Sequence, residues 1–211
     1  MTTPTSSAAP SSTTATAPSS SAGPTAAAPT AAAPTEAAST NAAGPRRHLV
    51  LVDTPVGPLT LVAEGDALVG VWMVDQRHHP GDASHGPAAD PGDPVLALAA
   101  EQLRQYFAGE RTTFDLPLAP RGTEFQRRVW HALREIPYGE TTSYGELAQR
   151  LGSPGASRAV GLANGRNPIG IVIPCHRVVG SAGSLTGYGG GIERKRLLLD
   201  LESRVAGHHL F

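Results

Sequence analysis

The sequence contains one cysteine, Cys175, and the residues around it could support nucleophilic chemistry. It stands in residues 173–178, Ile-Pro-Cys-His-Arg-Val, where Pro174 restricts the backbone conformation just before the thiol. A free thiol has a pKa of about 8.5, and neighbouring polar or cationic side chains such as His176 and Arg177 favour the thiolate. This segment therefore predicts a reactive thiol on a cleft wall; the alternative is an inert core cysteine.

A single cysteine also narrows the classes of protein and site. It excludes an internal disulfide, a CxxC redox pair and a zinc site built from several cysteines, and it is compatible with a reducing cytoplasm. No apolar run reaches the roughly 18 residues of a membrane span, and the N-terminus lacks the pattern of a signal peptide. We expect a cytoplasmic protein without a built metal site. His78, His79 and His85 are expected to be exposed residues of a polar loop, the alternative being adventitious metal binding.

The elements that must position this thiol begin after residue 44. Three Val- and Leu-rich segments, 46–53, 59–64 and 68–74, are separated by turn residues and predict an antiparallel meander. A helix is expected over 94–108, ended by Gly109. Together they predict a small α/β domain over residues 45–120.

Residues 121–207 are predicted to form a second, mostly helical domain. Thr123-x-x-Gln126 and Ser143-x-x-Glu146 are capping-box patterns, each expected to start a helix. Pro154 is expected in the first turn of a third helix over 155–164, and Gly152 separates the last two helices. Two short helices joined by a glycine-containing turn are typical of a helix-turn-helix, although many helical hairpins do not bind DNA.

Two further segments complete this domain. The apolar run 169–173 before the cysteine is expected to be strand-like, and a last helix is expected over 192–203.

Charge and composition divide the chain. Residues 1–44 hold 15 Ala, 10 Thr, 8 Ser and 6 Pro with one charged side chain, which predicts a disordered tail. The net charge of −1 combines −1 in this tail, −5 in residues 45–120 and +5 in residues 121–211. A basic C-terminal half is the electrostatic pattern of a nucleic-acid-binding surface.

At this point the sequence resembles the O6-alkylguanine-DNA alkyltransferases, also called methylated-DNA–protein-cysteine methyltransferases. The resemblance covers about residues 47–203 and is strongest from residue 122. Its motifs are Pro137-Tyr138-Gly139 with Thr142-Ser143-Tyr144, Ser157-Arg158-Ala159-Val160-Gly161, Asn167-Pro168 with Ile171–Val178, Leu185-x-Gly187-Tyr188-x-Gly190-Gly191, and Lys195-x-x-Leu198-Leu199-x-x-Glu202.

The resemblance implies a fold, a reaction and a partner. The fold is a ribonuclease H-like α/β domain followed by a winged-helix-like helix-turn-helix domain. The reaction is irreversible transfer of an alkyl group from O6-methylguanine, and from O4-methylthymine, to a cysteine after base flipping. The partner is double-stranded DNA containing alkylated guanine, and the protein is expected to be a monomer without cofactor or obligate protein partner.

Matching positions carry the family's catalytic roles to this chain. Cys175 corresponds to the nucleophile, His176 to the histidine that takes the thiol proton through a water molecule, and Glu202 to the carboxylate that orients this histidine. Without the resemblance, His176 and Glu202 would be read as an ordinary surface histidine and a last-turn glutamate.

Other matches concern substrate and DNA. Tyr144 corresponds to a tyrosine that assists flipping, Arg158 to an arginine that fills the gap in the base stack, and Asn167 to an asparagine that braces the active-site loop. The remaining substrate- or DNA-binding positions are Arg177, Tyr188 and Gly189. Without the resemblance, Tyr144 would be read as a half-buried aromatic residue and Arg158 as a phosphate contact or a solvated charge. Asn167, Tyr188 and Gly189 would be read as turn residues.

Departures from the family pattern limit the analogy. Some members hold a structural zinc through cysteine and histidine ligands, which cannot be carried over to a chain with one cysteine. Gly170 and Gly189 stand at variable positions of the pocket, so the width of the pocket stays open. A non-catalytic DNA-binding regulator and a cysteine hydrolase remain as alternative functions; DNA binding without methyl transfer and multiple turnovers on an ester would identify them.

Overall fold

The computed structural model describes residues 44–207. The predicted disordered tail falls on residues that, apart from Gly44, lie outside the described part of the chain.

The N-terminal part begins with an antiparallel sheet. Its strands are β1 (Arg46–Leu51), β2 (Leu59–Glu64) and β3 (Ala67–Met73), in the order β1-β2-β3. Leu51 pairs with Leu59 across the loop 52–58, and Glu64 pairs with Ala67 across the two-residue turn 65–66. The Gly65-Asp66 turn needs glycine because residue 65 has φ 55°. The predicted meander is therefore present.

Helix α1 (Pro94–Ala108) packs on this sheet with the predicted bounds. Asp93 caps its first turn by accepting a hydrogen bond from the Leu96 backbone N–H at 2.9 Å, and Gly109 ends it in the left-handed conformation. Its buried face includes Leu96, Leu103 and Tyr106.

The loop between β3 and α1 contains a one-turn 3₁₀ helix, Asp82–Ser84. Here the expectation of three exposed histidines is wrong for His85, which is only 3% exposed. Backbone hydrogen bonds at both ends of the next segment, His48 N–H to Pro87 O and Ala89 N–H to His48 O, hold it along β1. This docking buries His85, which a polar loop composition does not reveal.

The helix-turn-helix lies in the second half. Helix α2 (Glu124–Arg134) and helix α3 (Tyr144–Arg150) each begin with the predicted capping box, in which both reciprocal hydrogen bonds are formed. Helix α4 (Ser157–Gly165) follows and packs on both.

Helix α4 begins later than predicted. Pro154 and Gly155 occupy a turn closed by a 2.8 Å hydrogen bond from Ala156 N–H to Ser153 O. Proline suits the second position of such a turn as well as it suits the first turn of a helix. The proline alone did not distinguish the two.

The apolar run before the cysteine is not a strand. Ile169 forms a single parallel bridge with Val71, and Ile171 has φ 69°. The chain then forms a 3₁₀ turn over Cys175–Arg177. The run has the apolar composition of a buried strand because all of its residues are buried, but its backbone forms a compact turn.

Two short strands and a long helix complete the fold. Strand β4 (Thr142–Ser143) pairs in parallel with β5 (Val178–Val179), and two residues are too few for a sequence period to reveal them. Helix α5 (Ile192–Ala206) ends three residues later than predicted and is capped by Gly207.

One apolar core joins the two halves. Among its fully buried members are Leu61, Leu96, Leu133, Ile169 and Leu198. Val71 N–H also donates to Pro168 O at 2.9 Å across the boundary between the halves. Within residues 44–207, no helix has both the length and the apolar character needed to cross a membrane.

Candidate active site

Cys175 is the first residue of the 3₁₀ turn and is 7% exposed. Two buried asparagines brace the chain on either side of it. Asn167 accepts from Ile169 N–H at 3.1 Å and donates to Ile173 O at 2.8 Å. Asn164 donates to the carbonyl oxygen of Cys175 at 3.2 Å. The thiol is therefore carried by a turn whose backbone is pinned from helix α4 and from the residues that follow it.

Glu202, on α5, is the centre of a buried hydrogen-bond network. Its Oε1 lies 2.8 Å from His176 Nε2, and Tyr106 OH donates to the same oxygen at 2.7 Å. Arg177 donates through Nε to Oε2 at 2.8 Å and through Nη2 to Oε1 at 3.0 Å. Gly139 N–H adds a bond to Oε2 at 3.1 Å. The network joins α1, α5, the cysteine turn and the segment after α2.

The network sets the protonation states of its members. Burial opposes ionisation of Glu202, but the charges and hydrogen bonds of His176 and Arg177 outweigh it and hold the pKa of the carboxyl far below its usual range. Burial lowers the pKa of His176, although Glu202 acts in the opposite direction. At neutral pH this is an ionised carboxylate beside a neutral imidazole.

The orientation of His176 follows from these states. An ionised Glu202 only accepts, so His176 Nε2 carries the proton and Nδ1 is the unprotonated nitrogen. Nδ1 is buried and makes no hydrogen bond to any described residue. The free lone pair is therefore the one that can accept a proton.

The thiol itself differs from the sequence-based expectation. Burial raises the pKa of Cys175, and the hydrogen bond of Asn167 and the charge of Lys195 offset this only in part. The side chains of His176 and Arg177 do not stabilise the thiolate directly, because they are directed to Glu202. The expectation of a thiol activated by its sequence neighbours, on an open cleft wall, is wrong.

Lys195, the only lysine of the chain, is fully buried near the thiol. Its Nζ donates to Val178 O at 2.6 Å and to Thr186 O at 2.8 Å. Burial lowers its pKa to about 8, while the charge of Cys175 acts in the opposite direction. This lysine links β5 to the loop Thr186–Gly190, called the glycine-rich loop below. It also places a positive charge close to the sulfur.

The glycine-rich loop lies beside Tyr144, the first residue of α3. Tyr144 OH donates to Thr186 O at 3.3 Å, and burial together with the charge of Cys175 raises its pKa. A Cβ at Gly187 would lie 2.8 Å from the Tyr144 hydroxyl. Side chains larger than hydrogen are therefore excluded where the loop meets the tyrosine.

The far end of this loop rests on the N-terminal sheet. Tyr188 OH is 4.0 Å from Met73 Sδ, and Gly189 O accepts from Arg77 N–H at 2.9 Å. A Cβ at Gly189 would meet only ordinary contacts, the nearest at 3.5 Å, whereas one at Gly190 would lie 2.5 Å from Met73 Sδ. The close packing that requires glycine is therefore at Gly187 and Gly190.

Arg158 lies on the exposed face of α4, the second helix of the helix-turn-helix. Leu162 and Arg166 follow at intervals of four residues, and Leu162 is 64% exposed. The face therefore presents two cationic side chains and an apolar one to solvent.

Arg177 does not join this face. It is 6% exposed, and its guanidinium donates to Glu202 and, at 2.7 Å, to Ile136 O. The Tyr138 ring packs over it at 5.5 Å. The expectation that Arg177 contacts substrate or DNA is not met, because the side chain is buried and Nε, Nη1 and Nη2 all donate inside the protein.

Sequence reasoning missed three residues of this site. Lys195 appeared only as part of a motif, and Asn164 and Tyr106 were assigned no role. Tyr106 belongs to the N-terminal half, 96 positions from Glu202, so no local pattern signals their contact. A tyrosine on the apolar face of α1, whose hydroxyl needs a partner when buried, was the one available signal.

Two family descriptions match the chain in succession. Residues 48–120 match "6-O-methylguanine DNA methyltransferase, ribonuclease-like domain", and residues 124–204 match "6-O-methylguanine DNA methyltransferase, DNA binding domain". The two matches agree with the expected fold class of an α/β domain followed by a helix-turn-helix domain.

Two curated relatives share more than half of the aligned residues with this chain. A methylated-DNA–protein-cysteine methyltransferase of Mycobacterium tuberculosis is 57% identical over 159 residues, which is 75% of this chain and 94% of the relative. One of Methanosarcina barkeri is 62% identical over 155 residues, or 72% and 94%.

Solved structures agree. The crystal structure of M. tuberculosis O6-methylguanine methyltransferase has a TM-score of 0.68 at 55% identity, covering 75% of this chain and 93% of that one. M. tuberculosis OGT in complex with DNA has a TM-score of 0.66 at 54% identity, covering 76% and 93%. Since both domain descriptions match in order and the relatives are aligned over nearly their whole length, this chain belongs to the 6-O-methylguanine DNA methyltransferase family.

Proposed function

We propose that this protein repairs double-stranded DNA by moving the alkyl group of O6-alkylated guanine, or of O4-methylthymine, irreversibly onto Cys175. The observation that carries the proposal is the pinned turn in which the only cysteine precedes a histidine whose second nitrogen is tied to Glu202. The names of the relatives, which are methylated-DNA–protein-cysteine methyltransferases, support the same reaction.

In this proposal His176 is the base for the thiol. The ionised Glu202 keeps the proton of His176 on Nε2, so that Nδ1 accepts the proton of Cys175 through a water molecule. Tyr106, Arg177 and Gly139 fix the carboxylate and so hold the ring in place. The positive charge that develops on His176 is stabilised by the carboxylate next to it.

The transfer is a displacement at carbon. The sulfur electron pair forms a bond to the alkyl carbon, the bond from this carbon to O6 breaks, and its electrons leave with the guanine, which takes up a proton. Tyr144 OH is placed near the thiol to donate a hydrogen bond to the base. The product is a thioether, and no second cysteine exists to release it, so each molecule reacts once.

DNA binding is assigned to α3 and α4. The target atom cannot be reached while the base is stacked, so the nucleotide must be flipped out, at an unstacking cost of about a few kcal/mol. Arg158 on the exposed face of α4 is proposed to fill the vacated stack. The +5 charge of residues 121–211 favours the approach of this half to phosphates.

The loop that lines the alkyl pocket is proposed to be Thr186–Gly190. Tyr188 and Gly189 belong to it, and Asn167 braces the opposite wall through its bonds to Ile169 and Ile173. Lys195 holds the loop by donating to Thr186 O.

The experiment is an intact-mass measurement after incubation with duplex DNA containing one O6-methylguanine. We expect one methyl group on Cys175 and none on the Cys175→Ala variant. An unmodified protein that still binds the duplex would identify a DNA-binding regulator, and repeated turnover on an ester would identify a hydrolase.

A second arm of the experiment concerns Arg158. In the Arg158→Ala variant, transfer from the duplex should slow more than transfer from the free base O6-methylguanine, which needs no flipping. Equal losses on both substrates would contradict the proposed role in the stack.

We further propose that residues 45–120 and 121–207 act as the two domains of a cytoplasmic monomer without cofactor. The family matches at 48–120 and 124–204 support these boundaries, and an unpaired reactive thiol suits a reducing compartment. Light scattering on the purified protein tests the monomer; a dimer at micromolar concentration would refute it.

A further inference from the structure

We propose that His79, Asp82 and His85, in the loop after β3, form a binding site for a divalent cation of borderline character, with Zn²⁺ as the best fit. One ligand atom from each of the three side chains lies within 4.8 Å of the others. Imidazole nitrogens and a carboxylate oxygen are a donor set that Zn²⁺ prefers. The site shares no residue with the alkyl-transfer centre.

The geometry is close to that of a three-ligand site. His85 Nδ1 lies 4.0 Å from Asp82 Oδ1, and the rings of His79 and His85 are 5.0 Å apart at 83°. Donors about 2.0–2.2 Å from a tetrahedral Zn²⁺ are roughly 3.5 Å from one another, so the loop must contract by about 1 Å. The Asp82 side chain is 99% exposed and is free to make this movement.

A second observation comes from His85 alone. Its ring is buried, and Nε2 makes no hydrogen bond to any residue in the described range 44–207. A buried polar atom without a partner is unfavourable by about 1–3 kcal/mol. A cation bound at Nε2 would give this nitrogen a partner and remove the penalty.

The neighbouring charges permit a cation. Arg46, whose positive charge acts on His85, is paired with Glu64 at 2.9 Å, and its Nη1 donates to Ser84 O at 3.1 Å. His48 is 6.1 Å from the His85 ring, and its Nδ1 is bonded to Gly86 O at 3.0 Å. These contacts fix Ser84 and Gly86 to β1 and leave the Asp82 side chain exposed.

Binding requires one exchange. His79 Nδ1 accepts from Gly81 N–H at 3.2 Å, so the ring proton lies on Nε2. A cation must either replace that bond at Nδ1 or move the proton from Nε2 to Nδ1. Gly81 is exposed, so solvent can take over its N–H in either case.

The test uses the full-length, untagged protein with the Cys175→Ser change, which removes the thiol as a competing ligand. Zn²⁺ is titrated against a chromophoric chelator, and we expect one equivalent bound. His79→Ala and Asp82→Asn should each weaken binding by about tenfold or more. The matched control is His78→Asn, an exposed neighbour with φ 65° that asparagine tolerates.

Imidazole ¹⁵N chemical shifts identify the ligands in the same samples. We expect Zn²⁺ to shift the nitrogens of His79 and His85 and to leave His78, His208 and His209 unchanged. Less than one equivalent bound at micromolar Zn²⁺, equal weakening in His78→Asn, or shifts confined to the C-terminal histidines would overturn the proposal. Because Asp82 and His79 are not core residues, loss of folding does not obscure the outcome.

Discussion

Glu202 occupies a position that is unfavourable for an isolated carboxylate. It is fully buried and lies near the C-terminal end of α5, where the helix dipole repels negative charge. Arg177 and the other donors compensate for both effects, and the low pKa of Glu202 is the result. A buried ion pair of this kind is strongly destabilising, by about 3–5 kcal/mol, when one partner is removed. The pair fixes the carboxylate that orients His176.

The contribution of Tyr106 can be measured by removing only its hydroxyl. Tyr106→Phe should lower the free energy of unfolding by about 1.5–3 kcal/mol, since the hydroxyl donates to an ionised group. It should also slow methyl transfer, because Glu202 loses one of the donors that fix it. Urea denaturation and single-turnover kinetics are the measurements.

Tyr138→Phe is the matched control. Its hydroxyl is buried and makes no hydrogen bond to the described residues, so its removal should be nearly neutral for stability. Equal destabilisation by the two substitutions would show that the hydrogen bond from Tyr106 to Glu202 contributes no measurable free energy of unfolding.

The pH dependence of transfer follows from two opposite shifts. Burial raises the pKa of Cys175, so the thiol keeps its proton at neutral pH, and burial lowers the pKa of His176 below 6.5, so the neutral base persists in mild acid. The single-turnover rate should therefore be level from below pH 6.5 to about pH 7, above which Lys195, with a pKa of about 8, progressively loses its charge. It should fall only when His176 becomes protonated.

The same measurement distinguishes a different mechanism. If a preformed thiolate reacted without passing its proton to His176, the rate would rise by about tenfold per pH unit across this range.

The free energy of unfolding should also decrease in acid. Because the folded state binds the His176 proton less tightly than the unfolded chain, stability decreases as pH falls from 6.5 through the lowered pKa.

At the scale of elements, the turn after α2 has to satisfy both a backbone and a packing requirement. Gly139 has φ 75°, its N–H donates to Glu202, and a Cβ there would lie 2.6 Å from the Cβ of Ala206. Glycine is needed because only hydrogen fits between this turn and α5. The turn therefore sets how closely α5, which carries Glu202, packs against the segment after α2.

Gly139→Ala should be more destabilising than Gly152→Ala. Gly152 has a similar φ of 72°, but an added methyl group there would have no neighbour within 4 Å, so it reports the left-handed backbone alone, about 1–2 kcal/mol. Gly139→Ala adds the contact with Ala206 and should also slow transfer. Thermal unfolding and adduct formation measure both effects; equal losses of stability would refute the packing argument.

At the scale of the whole molecule, the N-terminal half supports the site without supplying the proposed nucleophile. It contributes Tyr106 to the network and the surface on which the glycine-rich loop rests, and its core is continuous with that of the helical half. Arg194 adds bonds from α5 to Val56 O at 2.9 Å and Val74 O at 2.8 Å. The two halves are therefore expected to unfold together.

Deletions test this dependence. Removal of residues 1–43 should leave the unfolding midpoint and the methyl adduct unchanged, because the family match begins at residue 48 and the relatives align over 94% of their length. Removal of residues 1–120 should abolish stable folding and the adduct, since it exposes the shared core. A 121–211 fragment that reacts at the full rate would contradict this.

The sequence by itself predicted most of the helices and strands and the cysteine that we propose as the nucleophile. Capping boxes at Thr123 and Ser143 and the glycine at 109 act within one turn of chain, so local pattern is sufficient to predict them. The motif around Cys175 identified the family for the same reason, since its residues are contiguous.

Only the tertiary structure decided how the site is assembled. It placed Tyr106 on Glu202, turned Arg177 inward, buried His85 and raised the pKa of the thiol instead of lowering it. Each of these results depends on desolvation and on contacts between residues far apart in the chain. A linear pattern cannot contain that information, because burial and long-range pairing are properties of the packed molecule.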